Sequence, residues 1–325
     1  MLIHCLNHDP CASSRKIRLL GQAPRNINYY LVDGPDLIVE TRSSPLSSVP
    51  RIITGNAAYD GGHLFLNEEE RADILRTNPE AEAFILRASG TSEFIDGDRR
   101  WCLWIDNDQL PIAERIPTVR NRIAAVLKDR KEGGEVALTL LNRPHQFRYR
   151  NRPEDAQILV PQVSSERRRY IPVGLLDRST LITHLAFAIF DPDMATFSIL
   201  NSTLHNIWIR AICGQLETRI RYSTTLGYNT FPVPNLSFAQ SEALETHAWE
   251  IISQRDNNPG RTIAWLYDPD TMPSALLDAH RALDATLERI YIGRPFRNDS
   301  ERLECLFELY AEMTADKEQR EAANA

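Results

Sequence analysis

No run of apolar residues in this 325-residue chain approaches the length of a membrane span. Met1 to Leu6 lack the basic start and long apolar stretch of a signal peptide. Five cysteines, odd in number and mostly far apart, argue against a disulfide framework and fit a reducing cytoplasm. The chain has no glycine-rich phosphate loop and no dinucleotide fingerprint. It also lacks a Gly-x-Ser-x-Gly elbow and a His-Glu-x-x-His helix. There is no Pro-Pro dipeptide, which excludes the Asn/Asp-Pro-Pro-aromatic motif that holds a flipped adenine in adenine-modifying methyltransferases. No S-adenosylmethionine loop is recognisable. His4, Cys5, His8 and Cys11 lie close together, but their spacing matches no regular zinc finger and no second ligand pair follows, so no metal site is assigned.

What the chain does have is a local reversal of charge. The whole sequence carries a net charge of -7, so any polyanion surface must be a patch. Three stretches qualify. Asn142 to Arg152 interleaves Arg143, Arg148, Arg150 and Arg152 with Phe147 and Tyr149. Guanidinium groups neutralise phosphates and rings can stack on bases, although a solvated loop would have the same composition. Val163 to Pro172 carries Glu166, Arg167, Arg168 and Arg169. Its residues predict a short strand with Glu166, Arg168 and Tyr170 on one face and Arg167 and Arg169 on the other. Arginine suits guanine O6 and N7, and a glutamate can accept from cytosine N4, so such a face can read a base pair. The plain alternative is a surface strand held in ion pairs. Arg219, Arg221, Tyr222 and Ser223 form the third cluster, again suited to phosphate.

The rest of the pattern is α+β, with a mixed α/β region followed by a small helical bundle. Leu2–Leu6 and Lys16–Leu20 read as a strand pair that cannot bury a face alone. Residues 21–66 are rich in turn formers and read as an irregular segment. Asn67 is placed to cap a helix that begins with Glu68, Glu69 and Glu70. Pro79 opens a second short helix, to about Leu86. Residues 90–106 read as a hairpin turning at Asp96-Gly97, its second strand apolar on both faces, with Trp101 and Trp104 in the core. A helix is predicted from Pro111 to Lys131, with Ile112, Ile116, Val119, Ile123 and Val126 on its stripe. A strand is predicted over Gln157–Val163, and residues 180–190 are strand-like. One long helix is predicted from Ala195 to Leu216, with Phe197, Leu200, Leu204, Trp208, Ala211 and Ile212 inward. The two prolines of Tyr228–Pro234 mark a domain boundary. Helices follow over Phe238–Gln254, Pro273–Tyr291 and Asp299–Glu318.

Several stretches together resemble a known family. They include Asn26-Ile-Asn-Tyr-Tyr-Leu31, Pro45-Leu-Ser47, Glu93-Phe-Ile-Asp-Gly97, Trp101-Cys-Leu-Trp104 and Val163-Ser-Ser-Glu-Arg-Arg-Arg-Tyr-Ile-Pro172. Further along come Leu204-His-Asn-Ile-Trp-Ile-Arg210, Arg221-Tyr-Ser223, Tyr228-Asn-Thr-Phe-Pro232, Leu266-Tyr-Asp-Pro269 and Leu306-Phe-Glu-Leu-Tyr310. In this order they resemble the C-terminal portion of the MmeI-like enzymes, type IIL fused restriction–modification proteins with an adenine-specific DNA methyltransferase. The resemblance implies a target recognition domain over residues 21–234 and a C-terminal helical domain over 235–325. Residues 1–20 would be the last hairpin of a preceding methyltransferase domain. It implies that Glu166 and Arg168 help choose a base pair of double-stranded DNA. Arg148, Arg150, Arg152, Arg167, Arg169 and Arg221 are then expected to hold phosphates. S-adenosylmethionine would belong to the absent catalytic part, or to a separate methyltransferase polypeptide acting as partner. Arg219-Ile220 stands where the family commonly has Asp-Tyr, and Tyr29 where it commonly has proline. The rival expectations are a complete methyltransferase with an unrecognised donor site, a protein-interaction scaffold, and a gene remnant.

Overall fold

A computed structural model describes Tyr30 and residues 37–323. The two expected N-terminal strands, the His4/Cys5/His8/Cys11 cluster and Tyr29 lie outside the described residues. In chain order the elements are β1 (Ile53–Thr54), β2 (Phe65–Leu66), α1 (Glu68–Thr77), a 3-10 helix (Pro79–Phe84), β3 (Ile85–Ser89), α2 (Thr91–Asp96) and β4 (Trp101–Leu103). Next come α3 (Leu110–Ala113), α4 (Pro117–Glu132), α5 (Glu135–Leu138), β5 (Ala156–Pro161), β6 (Val163–Ser164), β7 (Gly174–Asp177), β8 (Thr180–Ile182) and β9 (Ala186–Phe190). Then follow α6 (Met194–Leu200), α7 (Thr203–Ile212), β10 (Gln215–Leu216), β11 (Arg219–Arg221), a π-helical turn (Thr224–Tyr228), α8 (Phe238–Asp256), α9 (Ile263–Leu266), α10 (Ser274–Ile292) and α11 (Asp299–Ala323). The α+β reading therefore holds.

Three small sheets organise the first two thirds. An antiparallel sheet runs β1-β9-β5-β7, and a mixed one runs β2-β4-β3-β8 with β3 and β8 parallel. The third, β10-β11-β6, takes its last strand from the same run of chain as β5. Gln162 separates the two, so the polypeptide leaves a buried strand and enters the edge of a small exposed sheet within one residue. Gly55 lets β1 press against the turn after β8: a Cβ there would sit 2.2 Å from the Thr183 carbonyl oxygen.

Two cores lie beneath. One packs β2, β3 and β4 against α1, α4 and Phe147. The larger runs from Val39 to Tyr310 and joins β5 and β9 to α6, α7, α8, α10 and α11. Trp208 sits in it fully buried, 5.2 Å from the Phe307 ring, with its indole N–H donated to Thr230 at 3.2 Å. Thus Pro232 and Pro234 interrupt secondary structure without interrupting the core. A buried polar seam crosses the same place. Asp284 of α10 accepts from Tyr170 OH at 2.9 Å, from the Thr203 amide at 2.7 Å and from its hydroxyl at 2.6 Å. Arg255 of α8 donates to the Val173 carbonyl at 2.7 Å and to the Asn201 side chain at 2.9 Å.

Several local expectations need correction. The helix from Pro79 ends at Phe84, and Ile85–Ser89 is a strand. Residues 90–106 are not a hairpin. Gly97 does take a left-handed conformation, at φ 81°, but as the C-cap of α2, donating to the Glu93 carbonyl at 3.2 Å. A left-handed glycine serves a helix end as well as a tight turn, and the dipeptide alone does not choose. The predicted helix from Pro111 is two helices, because Pro117 restarts the chain at the first position of α4. Ile112 is consequently exposed rather than on the stripe. The predicted helix from Ala195 is broken at Asn201–Ser202, where Ser202 caps α7 by accepting from the His205 amide at 3.1 Å. Its expected last turn is strand β10. Asn67 caps α1 with a full capping box, as its sequence requires. Among the described residues no helix is long and apolar enough to cross a membrane.

Candidate nucleic-acid interface

β6 is only two residues long, and the predicted strand through Tyr170 does not form. Ser165 to Arg168 is a turn: the Arg168 amide donates to the Ser165 carbonyl at 3.2 Å, and the Arg167 amide to the Ser165 hydroxyl at 3.2 Å. Strand alternation therefore does not place Glu166, Arg168 and Tyr170 on one face. Tyr170 is fully buried, stacked 4.1 Å from His280, while Glu166 and Arg169 are exposed. The turn nonetheless leaves two of its side chains uncommitted. Neither the Glu166 carboxylate nor the Arg168 guanidinium forms a hydrogen bond or ion pair among the described residues. Burial pushes the Arg168 pKa down, against the opposing charges of Asp96 and Asp268, and an arginine so far from neutrality stays a cation.

Arg168 lines a cleft of about 470 Å³. Thr91 and Asp96 of α2, Gln162, Ser164 and Arg219 line it too. Ser164 is 3% exposed and its hydroxyl has no partner among the described residues. Arg219 is tied to Glu217 at 3.1 Å, whereas Arg221 projects from the far end of β11 with no ion pair among the described residues. The third cluster divides at that point. Tyr222 turns into the core, 3.0 Å from His205, and the half-buried Ser223 spends its hydroxyl capping the following turn, accepting from the Leu226 amide at 3.1 Å.

The loop of residues 142–152 is built around an arginine that the composition did not single out. Arg130 of α4 is fully buried and spends all five N–H groups on main-chain carbonyls. They go to Ala58 at 2.9 Å, Tyr59 at 2.8 Å, Leu140 at 3.0 Å, Arg143 at 2.8 Å and Gln146 at 2.7 Å. Sequence held a clue: Arg130 continues the stripe of Val119, Ile123 and Val126 at helical spacing. Arg143 also folds the loop, donating to the Arg148 carbonyl at 3.1 Å. Phe147 is core, between Phe65 and Trp104, and cannot stack on a base. Trp104 is core as well. Tyr149 and Arg152 are exposed, while Arg148 and Arg150 are half-buried. Arg148 lies between the rings of Tyr59, at 5.4 Å, and Tyr149, at 4.8 Å. Tyr59 adopts φ 51°, rare for a non-glycine residue, and Arg130 holds its carbonyl there. Arg150 packs 4.0 Å over Trp104 and pairs with Asp106 at 2.5 Å; Arg152 reaches the Arg178 carbonyl.

The two regions are joined by a run of contacts. Asn56 exchanges hydrogen bonds with Asn151, at 2.8 and 2.9 Å, and its carbonyl accepts from the His184 amide. The His184 carbonyl in turn accepts from Gln162 at 2.8 Å, beside the cleft. Of the eight residues singled out, Arg150 and Arg167 are held by carboxylates. Arg167 meets Asp270 at 2.5 Å and Asp268 at 3.7 Å, and those partners raise its pKa.

Residues 33–235 match the family profile described as the MmeI target recognition domain. The chain belongs to this family. Residues 236–318 match the MmeI C-terminal domain. DNA methyltransferase A of Bacillus subtilis (strain 168) is 38% identical over 294 residues, covering 89% of this chain and 33% of that protein. A solved structure of the type IIL restriction-modification enzyme MmeI in complex with DNA superposes with a TM-score of 0.83 at 37% identity. It covers 90% of this chain and 39% of that one. The chain therefore spans about a third of the length of the curated relative and 39% of the solved MmeI chain.

Proposed function

We propose that this chain is the sequence-reading part of a type IIL DNA methyltransferase system. The observation that carries the reading is the Ser165–Arg168 turn: beside a solvent-facing cleft it presents an acceptor and a forked cation, both without partners among the described residues. A guanidinium taken partly out of water is normally paired, and Arg168 is half-buried. Glu166 and Arg168 contact base edges, and each good pairing discriminates by about 1–3 kcal/mol. Arg148, Arg152, Arg169 and Arg221 hold phosphates. Arg150 and Arg167, given to carboxylates, contact the backbone only by exchanging those pairs for phosphate. The methyl donor, S-adenosylmethionine, and the base-flipping pocket belong to the remainder of a longer protein or to a separate methyltransferase polypeptide. The cytoplasm is the compartment where such a protein meets DNA.

The test is a titration of the purified chain with a randomised duplex library at several salt concentrations, with sequencing of the bound fraction. Four phosphate contacts predict a slope of about -3 to -4 in log K against log salt. No binding even at low salt defeats the proposal. A second expected result concerns the turn itself. Glu166→Lys combined with Arg168→Asp moves the preference at one base pair and leaves the other positions alone. If the sequenced pool is the same as for the parent chain, the turn is not the reader.

A further inference from the structure

Base reading needs side chains held to roughly half an ångström, and a four-residue turn on a two-residue strand has little stiffness of its own. Its stiffness is supplied by α7. Arg210 donates one terminal nitrogen to two carbonyls of the turn, Glu166 at 2.7 Å and Arg168 at 2.8 Å. Asn206, one helical turn earlier on the same face, donates its side-chain amide to the Arg169 carbonyl. Three of the four main-chain carbonyls from Glu166 to Arg169 are thus fixed from one helix. That helix is itself anchored in the core through Leu204, Trp208 and Ile209, all buried. The frame closes on α10. Thr203, at the first position of α7, and Tyr170, just past the turn, bond to the same Asp284 carboxylate. Among the described residues Arg210 forms no ion pair and its hydrogen bonds all go to the turn, where its charge also acts on the Glu166 carboxylate.

We infer that Arg210 is a positioning residue for sequence choice: it sets where Glu166 and Arg168 point and contacts neither a base nor a phosphate itself. The inference rests on the reading of the turn given above. The alternative for an exposed arginine beside DNA is a phosphate contact, and the two roles leave different signatures.

The full-length chain, Arg210→Met and Arg210→Lys are compared with the same randomised duplex library, with thermal melting alongside. Methionine keeps the stem that covers α7 and removes both hydrogen bonds; lysine keeps the charge and loses the rigid fork. In Arg210→Met, preference at the base pair read by the turn falls roughly tenfold, while the salt slope stays that of the parent. Arg210→Lys keeps the slope and loses part of the preference, about threefold. Parental preference in a folded Arg210→Met, or in Arg210→Lys should the methionine variant not melt cooperatively, overturns the inference. So does a salt slope shallower by about one unit in Arg210→Met, the mark of a lost phosphate contact. A parent chain that binds no DNA, or binds without preference, overturns instead the reading on which this one stands.

Discussion

Replacing Arg130 by methionine lowers the unfolding free energy by about 4 kcal/mol or more. The side chains are close in volume, so the loss is polar. Five carbonyls, from Ala58, Tyr59, Leu140, Arg143 and Gln146, each lose a charge-assisted donor, and the guanidinium that supplies them is fully buried. Hydrogen bonds of this kind are worth about 1.5–3 kcal/mol each, and stranded acceptors add a desolvation penalty. Local opening of the loop recovers part of the total by letting water in, which is why the expected figure lies below the sum. That opening carries a functional consequence. Arg130 also holds Tyr59 in its left-handed conformation and sets the path of residues 140–146, so Arg148 loses its seat between Tyr59 and Tyr149. Arg130→Lys recovers less than half, because an ammonium has three donors and no planar fork. Urea denaturation measures this directly; a loss below about 1 kcal/mol for Arg130→Met refutes the account.

Acidification from pH 7.5 to pH 5 removes about 4 kcal/mol of stability through two histidines. His205 and His280 are both buried, and burial pushes each down to a pKa of about 3. Geometry independently requires a neutral ring at His280. Its Nδ1 lies 3.1 Å from the Asn201 carbonyl and must donate; its Nε2 lies 2.8 Å from Tyr267 OH. Arg255 donates to that same hydroxyl at 2.9 Å, leaving its proton for the ring, so Nε2 accepts. Arg255 and Arg169 further oppose a charge there. At His205, Nδ1 has no partner among the described residues, so a proton placed on it would find no acceptor. The folded pKa lies below the unfolded value of 6.5. Between the two, the unfolded chain takes up protons that the folded chain refuses, and stability falls as pH falls through that window. At pH 5 each histidine accounts for about 2 kcal/mol. Asp284 works in the opposite sense, since burial raises its carboxyl pKa and its titration favours the folded state as pH falls. His280→Gln should remove about 2 kcal/mol of the loss of stability between pH 7.5 and 5. An undiminished slope in that variant would show that His280 does not titrate as the burial demands.

The two results concern residues that the linear pattern did not rank, and the reason is instructive. Arg130 reads as one more charge near the end of a helix; only the approach of residues 58–59 and 140–146 turns it into the centre of a loop. His280 and His205 carry no motif, and their burial comes from α10 and α7 meeting chain from far away in sequence. Phe147 misled in the other direction. Arginines on either side suggested a stacking ring, but alternation in a loop has no fixed geometry, and the ring packed against Phe65 and Trp104 instead. The Glu166–Arg169 stretch shows both sides at once. Its residue types pointed to base reading, while the strand that was to array them dissolved into a turn after Ser164.

By itself the sequence determined the fold class, the helical end of the chain, the cap at Asn67 and the local charge reversal. All of these depend on neighbours along the chain: periodicity, capping residues and composition act over a few residues. Its ordered stretches also determined the family. Tertiary structure decided which arginines are free. Arg150 and Arg167 meet carboxylates of Asp106, Asp268 and Asp270 brought from elsewhere in the chain, whereas the Arg168 and Glu166 side chains form no ion pair among the described residues. It also decided what holds the turn, because Arg210 and Asn206 act on carbonyls some forty residues away, and a hydrogen bond across that separation leaves no mark on local pattern.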